Sequence, residues 1–558
     1  MQKSFGVAAV VGLTALAAAH GARAQPFESV LTHPVVTIPA LDNRAVATIR
    51  VNPSASRAYA TAGGPPTPGS PGFLHVTIWS DKGGVQIFQA YDMPGTSGSF
   101  DVRSISEDAN GNFYVAGYCS NATLVPRTFV AKFNSNLAFT WCLVWSGADT
   151  TDPRVRALAL SSGNVVVIEP VNTGVTNRPQ TRITCLSPSA SVLWQNEYTT
   201  ATCEAIRLAD LFEEPGGWVY AVGRMHPTGL PSLFHNACVL AIDPDPVIAQ
   251  GQAVGLWTNQ SSLGFGGEYL GADIGPGGEL YAAGTLTFFA APGPGFVTQT
   301  RISRLDAFSG MAVRTDALYS NAPMLPAIGA ASYVPFTNGS SWASPPVFAV
   351  AGNGAGPAGT LLRVDAFGLS FSTGTTFGGG SPVETVFHDL ALDRLQAANV
   401  LLAGERIPVT AGTEEAYLVR TGPFGASACS TPWSATPTFM TTTTTAHSAV
   451  TLNGTVFCDG TPLGFVTAFS QITLPPHVFS VTVTVKKKCD AAICSGDLNQ
   501  DALVDDSDFA TFAPQYDLLL CADAMMPAGC PSDFNLDGFV DDDDFRIFVG
   551  AYNALICE

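Results

Sequence analysis

Charged residues are scarce in this chain: 13% of its 558 residues are Asp, Glu, Lys or Arg, against 46% hydrophobic. Disorder needs the opposite balance and is excluded. Lysine is rarer still, with none between Lys132 and Lys486. Contact with nucleic-acid phosphates needs clustered Lys and Arg, so nucleic acid is excluded as a partner. Histidine occurs only 8 times and never in a metal-ligand pair, and the 12 cysteines include no C-x2-C, which argues against zinc. The signatures G-x-S-x-G and H-E-x-x-H are missing, as is a phosphate-cradling Gly-rich loop ahead of a helix. No stretch of 18 or more apolar residues appears beyond the N-terminus, so no transmembrane anchor is expected. The 55 glycines have no three-residue period, which excludes collagen.

The charge that is present is unevenly placed. Of a net −19, the stretch from Asp490 to Glu558 holds 15 acidic residues and one basic residue, Arg546. A nearly neutral body and a dense anionic tail imply two modules. At the other end, Lys3, an apolar run from Phe5 to Ala19, and Ala22-Arg23-Ala24 read as a signal peptide over residues 1–24, with Gln25 as the mature N-terminus. The alternative, a membrane anchor, is disfavoured because a span needs about 20 apolar residues. The protein is therefore expected to be secreted or at the cell surface, and its even cysteine count to form disulfides.

One theme recurs through the body: a Gly/Asn/Asp-rich turn, then an apolar strand ending near Gly. Tyr59, Tyr114, Val166, Tyr220, Tyr281, Ala349 and Leu401 mark equivalent positions in seven copies, and Glu169 stands where other copies have Gly. Each copy has an apolar segment upstream and alternating strands downstream. Four short strands per repeat is the requirement of a propeller blade, and stacked blades bury faces that one blade cannot. The expected fold is mainly β: a seven-bladed β-propeller over residues 25–434, with eight blades as the alternative, followed by a small all-α domain. Residues 435–490, with a Thr run from Thr441 to Thr445, read as an eighth blade, a closing strand or, preferably, a β connector. Lys486-Lys487-Lys488 reads as a solvated join. At Asp108-Ala109-Asn110-Gly111-Asn112-Phe113-Tyr114-Val115-Ala116-Gly117 the chain resembles the blade repeat of extracellular bacterial β-propellers, a resemblance that implies architecture and no activity.

The tail is duplicated at an offset of 36, which relates Gly496–Phe509 to Ser532–Phe545, Cys494 to Cys530, Tyr516 to Tyr552 and Cys521 to Cys557. Each copy carries oxygen donors at positions 1, 3, 5, 9 and 12 of a twelve-residue loop, with a backbone carbonyl at position 7, the spacing of an EF-hand-type loop. The expected ligands are Asp497, Asn499, Asp501, the Leu503 carbonyl, Asp505 and Asp508 in one loop. In the other they are Asp533, Asn535, Asp537, the Phe539 carbonyl, Asp541 and Asp544. Hard oxygen donors favour Ca²⁺, at two sites. Gly538 suits the sharp turn at position 6, whereas Ala502 in the first loop would be strained there by about 1 kcal/mol, so the first site should be weaker. Phe509, Phe512 and Tyr516, and Phe545, Phe548 and Tyr552, repeat at i, i+3, i+7 and should each form one helical face.

This module, residues 491–558, resembles a type I dockerin domain. The resemblance implies a cohesin-like or other cell-surface protein as partner. Positions 10 and 11, Asp506-Ser507 and Asp542-Asp543, depart from that family's usual small hydroxyl pair, and its basic pattern lacks the framing cysteines. Pairings Cys494–Cys521 and Cys530–Cys557 are preferred. For the body, recognition of a polysaccharide or protein is the leading expectation, with a glycoside hydrolase or a structural adhesion protein as alternatives. A hydrolase would need two carboxylates across the scissile bond. Glu204, Asp210, Glu268, Asp273, Glu384 and Asp389 qualify by position, and His388 lies beside the last.

Overall fold

The computed structural model describes every strand and helix given below and most of the short turns up to residue 306. In the tail it describes residues 496, 498, 504–521, 523, 525–527, 530–534 and 539–554. The leader assigned to residues 1–24 lies outside the described residues. Seven antiparallel blades occupy residues 45–92, 100–146, 156–199, 203–261, 266–319, 324–377 and 384–420, here blades 1 to 7. The first strands of neighbouring blades pack side by side in a closed ring around a central channel. Blade 7 takes three strands from its own stretch and a fourth from the N-terminal strand Phe27–Thr32, which pairs with Glu415–Arg420. The fold is thus seven-bladed, and both ends of the ring are sewn into one sheet.

The repeat seen in the sequence follows from two backbone constraints. The turn between the first and second strands has a positive φ at Gly111, Gly163, Gly217 and Gly278, each three residues before a repeat marker. That backbone region costs a residue with a Cβ about 1–2 kcal/mol. In blade 2 the turn is also fixed by Asp108, whose Oδ1 accepts from the backbone N–H groups of Asn110 at 2.8 Å and Asn112 at 2.9 Å.

The second constraint sits at the far end of the second strand. The first strand of blades 2, 4, 5, 6 and 7 carries a bulge, between Val102 and Ser104, Leu208 and Asp210, Tyr269 and Gly271, Ile328 and Ala330, and Phe387 and Asp389. In blades 2, 4, 5 and 7 the bulge presses a carbonyl onto the facing glycine. A Cβ on Gly117, Gly223, Gly284 or Gly404 would lie 2.1, 1.9, 1.8 or 2.0 Å from that oxygen. Blade 3 has no such bulge; its first ladder ends at the Arg156–Ile168 pair. This leaves room for Glu169, which is fully buried against Trp145 Nε1 at 2.7 Å and Arg182 at 3.7 Å.

Residues 430–490 form neither an eighth blade nor a separate connector. They run round the outside of the ring as a belt, adding a fifth strand to each blade in turn. Ser430–Trp433 pairs on blade 6, Thr438–Met440 on blade 5, Thr442–His447 on blade 4 and Val450–Leu452 on blade 3. Ser470–Ile472 follows on blade 2, His477–Phe479 on blade 1 and Thr484–Asp490 on blade 7. A hairpin of Val456–Cys458 and Thr461–Leu463 interrupts the circuit. The Thr run is therefore a β-branched edge strand, and Thr444 Oγ1 donates to Asn259 Oδ1 at 2.6 Å. The triple lysine is not a loop but part of Thr484–Asp490, where Lys486 faces Val30 and Lys487 faces Ser29.

Among the described cysteines of the body, Cys119, Cys142, Cys185 and Cys238 are buried free thiols and not the disulfide partners expected of them; the side chains of Cys203, Cys429 and Cys458 lie outside the described residues. Each of the four thiols sits on a blade strand among apolar side chains, and burial pushes the Cys119 and Cys185 thiols up to about 12. In the tail, Cys521 bonds to Cys530, not to Cys494, and Cys494 and Cys557 lie outside the described residues. The preferred pairing is thereby corrected. The bond ties the end of one helical copy to the start of the next, 9 residues on.

Two stability predictions follow from the backbone. Gly223→Ala or Gly404→Ala should cost about 1–3 kcal/mol or more in chemical denaturation, because the clash is with backbone and cannot be relieved by a rotamer. A chain stopped after residue 421 should bare the outer edge of every blade. It should run as higher-mass species in size-exclusion chromatography with light scattering, at concentrations where the full chain does not.

Candidate ligand site and acidic tail

The bulges also place the channel's side chains. The residue just after the bulge is Ser104 in blade 2, Asp210 in blade 4 and Asp389 in blade 7, and all three do the same work. The Ser104 hydroxyl accepts from the backbone N–H of Ala157 at 2.8 Å, one blade on. Asp210 Oδ2 accepts from Ala272 at 3.2 Å, and Asp389 Oδ2 from Val46 at 2.9 Å. A neutral hydroxyl suffices in one blade, so the first duty of both aspartates is to staple neighbouring blades.

Arg156, from the first strand of blade 3, neutralises this pair. Its Nε lies 3.7 Å from Asp210 Oδ1, its charge is felt by Asp389 across the channel, and its Nη1 donates to the Arg103 carbonyl of blade 2. Burial pushes the Asp210 carboxyl up to about 6; Arg156 opposes that rise and the Asp389 charge adds to it. Asp389 is raised too, by burial, against the pull of Arg156.

Near the start of the inner strands the channel opens onto an arc of charged side chains. Glu405 is 3.1 Å from His388 Nε2 and 3.5 Å from Arg44. Asp101 pairs with Arg103. Glu268 Oε2 is met by Arg154 Nη1 at 3.3 Å and Arg224 Nη1 at 3.4 Å. Burial alone would raise the Glu268 carboxyl; the two guanidinium groups, with His235 behind them, reverse that and hold it down at about 2.

Of the six carboxylates singled out by position, the structure brings Asp210 and Asp389 together around one arginine. Glu268 stands apart in its own ion pairs. Asp273 accepts from the N–H of Ile274 at 2.8 Å, and the side chains of Glu204 and Glu384 lie outside the described residues. His388 lies on an inner strand, as expected. The arginines were missed. Their signal was legible in the repeat: Arg44, Arg103, Arg154 and Arg156 all sit on or beside a first strand, in a body with few bases.

In the tail, helices α1 (Asp506–Leu518) and α2 (Asp542–Ala554) obey the 36-residue offset in three dimensions. The N–H of Leu498 donates to Asp508 Oδ1 at 2.6 Å, as that of Phe534 does to Asp544 Oδ1 at 2.6 Å. The N–H groups of Asp505 and Asp541 donate to the other oxygens of Asp508 and Asp544, each at 3.1 Å. Tyr516 donates to Asp542 and Tyr552 to Asp506, a reciprocal exchange that marks a local twofold relation. Phe512 stacks on Phe548 at 5.0 Å, so the aromatic faces are the core of this module.

Asp508 and Asp544 are fully buried, and Asp505, Asp533, Asp541 and Phe539 are described nearby in sequence; Asp497, Asn499, Asp501, Leu503, Asn535 and Asp537 lie outside the described residues. A buried carboxylate at position 12 with both oxygens aimed into its own loop fits a hard cation. The cluster Cys521, Cys530 and Asp533 offers no soft-metal site, because both sulfurs are spent in the disulfide.

No protein-family model matches the chain, and no curated protein is significantly similar to it. Among solved structures it is similar to an α-L-arabinofuranosidase from Fusarium graminearum, at 9% identity and a TM-score of 0.38, over 57% of this chain and 92% of that one. It is also similar to a polysaccharide lyase, at 9% identity and a TM-score of 0.36, over 70% of this chain and 98% of that one. An apocarotenoid oxygenase of Synechocystis gives 12% and 0.34, over 76% and 96%. Likenesses this distant transfer no activity.

The raised Asp210 gives a signed pH prediction. A carboxyl whose folded pKa exceeds its unfolded value stabilises the fold at low pH and loses that contribution as pH climbs through the folded value. Melting temperature should therefore carry a component that falls between about pH 4 and pH 6 in the wild type. Asp210→Asn, whose amide oxygen can still accept from Ala272, should lack that component.

Proposed function

We propose that this is a secreted recognition protein. Its propeller binds a glycan at the charged mouth of the channel, and its tail, through two Ca²⁺ loops of dockerin type, displays it on a cohesin-like or other cell-surface partner. One observation carries the non-catalytic reading: Asp210 and Asp389 each give one oxygen to a neighbouring blade's N–H and share the charge of Arg156. Carboxylates committed in that way hold blades together. The arginine-rich arc above them offers donors suited to sugar hydroxyls and acids. Cleavage after Ala24 would leave the strand from Phe27 intact, which supports the leader assignment.

A second reading, a glycoside hydrolase, is favoured by one fact. Asp210 holds a proton up to about pH 6, as a general acid does, with a second carboxylate near the same arginine. Pulldown on a panel of polysaccharides, with soluble sugar measured, separates the two. Retention without release supports recognition; steady release of oligosaccharide, lost in Asp210→Asn, transfers the site to the hydrolase reading.

For the tail, calorimetry on chelator-treated protein should show two calcium-binding events. Asp537→Ala should remove the tighter event and Asp501→Ala the weaker, in line with Gly538 and Ala502 at the turn. No heat and no gain in thermal stability on adding calcium would overturn the calcium assignment.

A further inference from the structure

We infer that the seam between blades 2 and 3 is a pH-sensitive closure: Glu169 and Glu197 share one buried proton, and the seam loosens when that proton leaves. The two carboxylates flank Arg182 in a row across blade 3, since Glu169 pairs opposite Arg182 and Arg182 opposite Glu197. All three are buried, and Arg182, the most exposed of them, shows 3% of its surface. Its Nη2 lies 3.2 Å from Glu197 Oε1 and its Nη1 3.7 Å from Glu169 Oε1. Among the described residues it is the one cation that either carboxylate meets. Two anions against one cation leave an unmatched negative charge in a dry seam, which burial makes costly. One proton removes it.

Hydrogen bonding decides which carboxylate takes the proton. Glu169 is well supplied as an anion: from blade 2, Trp145 Nε1 donates to its Oε1 at 2.7 Å and the Thr128 hydroxyl donates to its Oε2. Glu197 Oε2 is buried with no hydrogen-bond partner, so the proton resides there. Burial pushes both carboxyls up, Arg182 opposes the rise at each, and the Glu169 charge adds to it at Glu197. The facing row of blade 2 is Asp101, Tyr118, Thr128 and Trp145. Asp101 pairs with Arg103, and Tyr118 is a phenol, uncharged in acid and neutral solution. Lys132, farther along the same face, is 4.0 Å from Asp108 and donates to the Pro188 carbonyl of blade 3. On the outer side Glu197 pairs opposite Leu452, so the strand that carries the proton also carries the belt. A carboxyl held above its unfolded value stabilises the fold fully below that value, and the contribution is lost as pH rises through the folded one. The seam is therefore tightest in acid and loosens from about pH 4.5 upward.

The test is thermal melting and infrared spectroscopy of the full chain at about pH 5 and about pH 8. Glu197→Gln keeps an oxygen for Arg182 and holds the seam at zero charge. Its melting temperature relative to wild type should rise by about 1–2 °C or more from the lower pH to the higher, and so should that of Glu169→Gln. The Asp210 component is common to both proteins and cancels in the difference. The double variant Glu169→Gln/Glu197→Gln strands Arg182 without an anion and should melt below either single variant at both pH values. That reversal separates charge balance from a general loss of packing. The infrared carbonyl band of buried protonated carboxyls at the lower pH should shrink in Glu197→Gln. A melting difference that stays constant or falls as pH rises, a double variant no worse than the single ones, or an unchanged carbonyl band would overturn the shared proton.

Discussion

An unpaired strand edge is the constraint from which this architecture follows. A blade of four antiparallel strands leaves a row of unpaired N–H and C=O groups on its outer side, where another chain can pair. Most rings leave those edges to short strands and charged side chains. Here there are few charges to spend, with 13% of residues Asp, Glu, Lys or Arg, and the edges are covered by the chain itself. The belt visits every blade, and its last strand, Thr484–Asp490, lies against the N-terminal strand Phe27–Thr32. That N-terminal strand is held on both sides, by Glu415–Arg420 and by the belt, so the strand that closes the ring has neither edge unpaired.

The inner edge of each blade faces the opposite problem, too little space. Neighbouring first strands crowd the axis, and a bulge re-aims a residue in five of them without losing the ladder. The close-packed glycine facing the bulge and, in blades 2, 4 and 7, the stapling side chain after it are two consequences of one kink. A buried aspartate is a costly staple unless its charge is met. Arg156 meets two of them, which explains why one arginine lies deep in the channel while others fan out above it. Proximity of paired carboxylates, often read as catalysis, here has a mechanical cause first.

Much of this was legible in the residues. Gly111, Gly117 and their equivalents set the period, and the departure at Glu169 falls in a blade whose first ladder has no bulge. The 36-residue offset in the tail survived intact, down to the exchanged pairs Tyr516–Asp542 and Tyr552–Asp506. The belt was not legible, because strands such as Val450–Leu452 are three residues long and pair with partners more than 200 residues away. Periodicity reports which face a strand buries, and a short edge strand exposed on one side has almost none. Four cysteines of the body departed from expectation for a related reason, while the tail does carry a disulfide. An even count says nothing about geometry, and Cys142 or Cys238 on a fully buried strand is simply a small apolar side chain.

The position of the tail has a mechanical consequence. The belt's closing strand ends at Asp490, and the acidic helical module is described from Gly496 onward. A tether applied at that module would therefore load the one strand whose removal exposes the ring's seam. Pairing Asp490 opposite Phe27 and Thr484 opposite Thr32 sets the strand so that a pull along its axis acts on the whole ladder at once, rather than bond by bond. A ladder loaded along its axis resists far better than one peeled from its end. A ring held at that point would stay closed under load, provided the pull runs along the blade edge and not outward from it.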